Sequence, residues 1–94
     1  MTILKLVEIN LQPDRFEEGV AALKGVCDAV RANEPGCVYI APYSLGANPV
    51  TVVEVYADEA AVKVHNKSEP VLGAIKQLAP LLAGAPSVRE LTEC

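Results

Sequence analysis

Histidine is the residue type whose ordinary pKa lies nearest neutrality, and this chain has one, His65, which makes it the natural proton acceptor. Such a lone histidine can instead be a helix-surface or pocket-rim residue with no chemical duty. Glu54 and Tyr56 lie just before it in the valine-rich run VTVVEVY, two residues apart, so on a strand they share a face. Apolar surroundings raise the pKa of a carboxyl group and suit it to act as a base. The plainer reading pairs Glu54 with an arginine such as Arg89, or leaves it facing solvent at a sheet edge. In CVYIAPY, Tyr39 and Tyr43 are four residues apart and Cys37 is two before Tyr39, so a regular strand puts all three on one face. Tyrosines lining an apolar pocket could bond and stack on an aromatic hydroxyl compound, or they could pack at an interface between subunits. Asn10 could point a polar group into the same pocket, or simply end the first strand.

Other chemistries are poorly supplied. The cysteines, Cys27, Cys37 and Cys94, are odd in number and form no CxxC pair or zinc-type spacing, and one histidine rules out a multi-histidine metal site within one chain. Cys37 follows a helix C-terminus, where the negative end of the dipole opposes a thiolate, so it reads as a small apolar residue opening a strand. Glu17 and Glu18 are adjacent on a helix and splay apart. There is no glycine-rich phosphate loop and no Ser/His/Asp order.

With a net charge of −4, eight scattered basic residues and no tryptophan among four aromatics, neither a phosphate-binding stripe nor a base-stacking platform is present, and nucleic acid is not an expected partner. No apolar run reaches the roughly 18 residues of a membrane span. The opening MTILKLVEINLQ lacks the layout of a secretory signal, and the free thiols suit a reducing cytoplasm.

The elements that must position these groups follow from periodicity. Ninety-four residues predict a single domain, 1–94. Residues 3–11 predict a strand, with Ile3, Val7 and Ile9 on one face and Leu4 and Leu6 on the other. A helix opens at Pro13–Asp14, carries the stripe Phe16, Val20, Leu23, Cys27 and Val30, and stops at Pro35–Gly36. CVYIAPYSL and VTVVEVYA predict two strands joined by GANP, and Pro42 marks the first as an edge or bulged strand. Asp58 caps a short helix that Ser68–Glu69–Pro70 interrupts, and Val71, Ile75, Leu78 and Leu82 stripe the helix that follows. SVRELTEC closes the chain as a strand.

The order is βαββαβ, a ferredoxin-like α+β arrangement with an antiparallel sheet and both helices on one face. Half of the residues, 51%, are apolar, and the strands are apolar on both faces, although two helices cover only one. The uncovered face asks for a partner, and a homodimer packed sheet to sheet is predicted.

Three stretches in order carry a family resemblance: EPGC at 34–37, VVEVYADEAAVKVH at 52–65 and LAPLLAGAP at 78–86. Together they resemble the antibiotic biosynthesis monooxygenase (ABM) family of dimeric α+β barrels, over nearly the whole chain. The resemblance implies a small-ligand pocket between sheet and helices in each protomer. It also implies oxygenation of quinols or polyketide aromatics without metal or flavin, where the deprotonated substrate itself reduces oxygen. His65 matches the histidine of the family's strand-to-helix segment. Members often carry a second histidine where this chain has Pro70, and a tryptophan where it has Tyr56. The haem-degrading branch depends on an asparagine, a tryptophan and a histidine together. It does not fit, since tryptophan is absent and Asn10 is out of place.

The leading expectation is therefore a cofactor-independent monooxygenase of a small aromatic or quinol-like substrate, with His65 as base and Tyr39, Tyr43, Tyr56, Glu54 and Asn10 around the substrate. A non-catalytic ligand-binding or stress-related dimer is the alternative. An isomerase of a phosphorylated small molecule is a weaker third, given the missing phosphate cradle.

Overall fold

The computed structural model describes residues 1–94. It contains strands β1 (Ile3–Ile9), β2 (Cys37–Tyr43), β3 (Val50–Tyr56) and β4 (Ser87–Thr92), and helices α1 (Phe16–Asn33), α2 (Glu59–His65) and α3 (Glu69–Leu78). The four strands form one antiparallel sheet in the order β2-β3-β1-β4, the ferredoxin-like α+β topology that the element order predicts.

The local chemistry explains the boundaries. Pro13 opens a 3-10 turn at Pro13–Arg15 rather than the α-helix itself, and α1 begins at Phe16 with Glu17 and Glu18 in its first turn. Leu23, Cys27 and Val30 of the predicted stripe are buried, joined by Gly19 and Val26. The Asp58 side chain accepts the Ala61 N–H at 2.9 Å and caps α2. The break at Ser68 restarts the chain as α3, whose Val71 and Leu78 are buried. Strands β1, β2 and β4 stop two residues short of the runs that suggest them, and Leu11 instead forms an isolated bridge with Leu82.

On the sheet, Ile3, Val7 and Ile9 face the helices and Leu4 and Leu6 face away. The main core joins Ile9, Val50, Val52 and Ile40 to Leu23 and Val30 of α1 and Val71 and Leu78 of α3. A smaller cluster of Ile3, Tyr56 and Val62 holds α2 against the sheet. The second face has no covering element. It carries Leu4, Leu6, Val53 and Val55, with Tyr39, Tyr43 and Leu91 exposed.

One expectation about faces is corrected. Cys37 pairs with Tyr56 but Tyr39 pairs with Val55, so two steps on β2 match one on β3, a bulge at Val38. The extra residue shifts the alternation. Cys37 packs toward the helices, whereas Tyr39 and Tyr43 lie on the open face.

Candidate active site

The turn after α1 is tied down at both ends. The Glu34 N–H donates to the Val30 carbonyl at 2.9 Å, closing the helix, and its own carbonyl accepts the Cys37 N–H at 3.0 Å. The Gly36 carbonyl accepts the Ala57 N–H at 2.9 Å, which fastens the turn to the end of β3. A Cβ placed on Gly36 would sit 2.6 Å from the Ala61 Cβ, so only glycine lets the turn lie this close to α2. Glu34, at the end of α1, is thereby brought to His65, at the end of α2.

The His65 Nδ1 lies 3.0 and 3.1 Å from the two carboxylate oxygens of Glu34. A carboxylate can only accept, so Nδ1 is the nitrogen that donates to Glu34 and Nε2 is the one turned toward Glu54. The Nε2 atom is 3.8 Å from Glu54 Oε1, and the Tyr56 hydroxyl donates to that same oxygen at 2.6 Å. The Tyr56 and His65 rings pack with centroids 5.3 Å apart and planes inclined at 46°. Tyr56, Glu34 and Glu54 are 0%, 3% and 6% exposed, so this is a buried network in which every buried side-chain polar atom has a partner.

Burial, and then the hydrogen bond to Glu54, push the Tyr56 phenol well above its ordinary 10, so it remains a neutral donor. Burial likewise raises the Cys27 thiol to about 11 and raises the Cys37 thiol, which leaves both cysteines protonated near neutral pH.

A cavity of about 230 Å³ opens beside this network, between the helix-facing side of the sheet and helices α1 and α3. That is below the roughly 300–1,000 Å³ of drug-sized ligand sites, so it suits a small molecule. Its walls are mainly apolar, among them Leu23, Ile40 and Ile75, and Lys5, Glu54 and His65 supply its charged or basic groups.

The structure therefore brings together His65, Glu54 and Tyr56, the first two lining the cavity and the third holding Glu54 from behind. Tyr39 and Tyr43 lie across the sheet from it, their hydroxyls hydrogen-bonded to each other. Asn10 is exposed beyond the end of β1, where its carbonyl accepts the Ala83 N–H at 2.8 Å, and it does not line the cavity. Arg89 stands opposite Leu6, on the open face, and does not pair with Glu54. Two residues that sequence reasoning passed over are Glu34 and Lys5. Glu34 reads as part of a helix stop in EPG, and its burial depends on the fold of that turn. Lys5 could have been found from alternation, since it falls between Ile3 and Val7 on the face that supplies the core.

A ferredoxin-like sheet with a small cavity between sheet and helices, and a carboxylate-held histidine at its wall, defines a compact α+β domain with a candidate small-molecule site. The model of the family described as antibiotic biosynthesis monooxygenase matches residues 2–77, and the chain belongs to that family. Among solved structures, a Caulobacter crescentus protein assigned to the antibiotic biosynthesis monooxygenases superposes with a TM-score of 0.89 at 26% identity, covering 99% of this chain and 90% of that one. A Bacteroides thetaiotaomicron protein with the same assignment gives 0.84 at 26% identity, over 98% of this chain and 89% of that one. A Mycobacterium tuberculosis protein gives 0.86 at 22% identity, over 100% and 96%, a likeness of fold alone. No curated protein matches the chain. No helix is long and apolar enough to cross a membrane.

Proposed function

We propose that this ABM-family protein is a cofactor-independent monooxygenase of a small aromatic or quinol-like substrate bound in the 230 Å³ cavity. The observation that carries the reading is the His65 imidazole, fixed through Nδ1 by Glu34 and lining the cavity beside Glu54. A base so oriented takes the substrate proton, and Glu34 stabilises the imidazolium that forms. The substrate anion then donates electrons to dioxygen and forms a C–O bond. The O–O bond breaks with return of the proton, one oxygen staying on carbon and the other leaving as water. For a quinol the balance is quinol plus dioxygen to hydroxyquinone plus water, all electrons coming from the substrate.

In this reading Tyr56 acts through Glu54, while Tyr39, Tyr43 and the apolar open face belong to a homodimer packed sheet to sheet. The three free thiols support a reducing, cytoplasmic setting. Oxygen consumption over a panel of hydroquinones tests the activity. A turning-over substrate should lose about 10²- to 10⁴-fold in rate on His65→Ala, the typical contribution of a general base, and full turnover by that variant would overturn the role.

A non-catalytic ligand-binding dimer is the second reading, favoured by Pro70 standing in the first turn of α3 where relatives often carry a second histidine. Binding of a quinol without oxygen consumption selects it.

A further inference from the structure

We infer that Lys5 is the anion-holding residue of the cavity, placed to stabilise the phenolate or enolate left when His65 removes a proton; this rests on the oxygenation reading above. Lys5 lies on the helix-facing side of β1, in alternation with Ile3, Val7 and Ile9, and its side chain is half-buried. It lines the same cavity as Glu54 and His65 and is the one lysine or arginine there. Its direct cross-strand neighbours are carboxylates, Glu54 on β3 and Glu90 on β4, yet its ammonium makes no ion pair within 4.0 Å, whereas other charged groups of the chain do.

A cation lining an apolar cavity with no ion-pair partner is partly desolvated without full compensation, and an anionic ligand supplies what is missing. The proposed reaction creates such an anion. The neighbouring Glu54 repels it from one wall, and the imidazolium of His65 attracts it from another, itself neutralised by Glu34. Helix α1 contributes only the Cys27 thiol, protonated near neutral pH. Lys5 is thus the remaining positive group able to offset Glu54 and hold the ligand oxygen. The ligand class that follows is a small phenol or enol bound in its ionised form, in preference to a neutral aromatic of the same shape.

The probe is 4-nitrophenol, whose neutral and ionised forms absorb at different wavelengths. Titrating its absorbance against pH with saturating wild-type protein should show the phenolate favoured in the bound state. Lys5→Met keeps the aliphatic stem and should weaken phenolate binding about tenfold or more, the scale of a lost charge-assisted hydrogen bond, while binding of neutral 4-nitroanisole changes less than about twofold. Lys5→Arg should recover most of the phenolate preference, and thermal denaturation checks that both variants fold; if Lys5→Met does not, Lys5→Gln takes its place. An unchanged phenolate preference without the cation, or no binding of the phenolate by the wild type, overturns the inference. Phenolate preference without oxygen consumption of any quinol removes the oxygenation reading and leaves the anion site. Quinol turnover lost in His65→Ala but unaffected in Lys5→Met does the reverse.

Discussion

His65 and Glu34 are 31 positions apart in the chain, yet both Glu34 carboxylate oxygens lie within 3.1 Å of the His65 Nδ1. The pair is nearly dry, with side chains 13% and 2% exposed, unlike the surface pairs Arg15–Glu18 and Arg31–Asp28. Removing the carboxylate in Glu34→Ala strands a buried N–H and should cost about 1–3 kcal/mol, read as a lower urea midpoint. In a double-mutant cycle with His65→Ala, the coupling should be about 0.5–3 kcal/mol, and additivity would contradict a direct interaction.

The Tyr56 hydroxyl is the one donor within 3.5 Å of the Glu54 carboxylate. Tyr56→Phe preserves the ring packing on His65 and deletes only that bond, which should destabilise the fold by about 1–3 kcal/mol. Glu54→Gln in the Tyr56→Phe background should recover part of the loss, because a neutral amide tolerates burial better than a carboxylate short of a donor. Equal melting temperatures for wild type and Tyr56→Phe would contradict the buried network.

Gly36→Ala tests the turn that sets the site. Its methyl would meet the Ala61 Cβ at 2.6 Å, and neither atom can swing aside. Overpacking of this kind costs about 1–3 kcal/mol and should push α2, and His65 with it, away from Glu34. Adding Ala61→Gly should relieve the clash. A melting temperature no better in the double variant than in Gly36→Ala argues against the contact.

Alkaline stability should fall in a defined window. The folded Cys27 thiol is raised by burial from 9.0 to about 11, so the folded protein keeps a proton that the unfolded chain releases. This contribution is full below about pH 9 and is lost as pH rises through about 11. Tyr56, also raised, adds a slope of the same sign above its ordinary 10. Urea unfolding at a series of alkaline pH values should give a shallower decline for Cys27→Ala than for wild type, whatever its absolute stability. Parallel declines would show that Cys27 is not shielded.

The open face of the sheet predicts the assembly. Sedimentation should give twice the 9.9 kDa chain mass at micromolar concentration. Val55→Lys, on that face opposite Tyr39, should shift the protein to the chain mass by burying a charge at the contact. A wild-type monomer would contradict the sheet-to-sheet dimer.

Much of the fold was legible because its signals are local. Two apolar periods, Pro13, Pro35–Gly36 and the Asp58 cap mark the elements, and two-sided strands foretell an open face. Glu54 among valines and the lone His65 were legible for the same reason. Glu34 was not, because a glutamate before Pro-Gly has the same local signature whether it is solvated or folded back under a helix. The face of Tyr39 was not legible either, because alternation is a rule for unbroken strands: Pro42 marks β2 as an edge or bulged strand, and β2 is an edge strand, but nothing in the sequence places the extra residue at Val38.

Glu34 ends α1, Glu54 and Tyr56 lie on β3 and His65 ends α2, so the four polar groups share no single element. Only β3 supplies two of them, and two of those three elements meet at the turn whose hydrogen bonds join Glu34, Gly36 and Ala57 to their neighbours. Until that turn closes, the imidazole has no carboxylate behind it and the cavity lacks the oriented histidine of the proposed reaction. The proposed chemistry is thus conditional on completed tertiary structure: a chain with its helices formed but undocked, newly made or partly unfolded, holds every side chain of the candidate site without their arrangement.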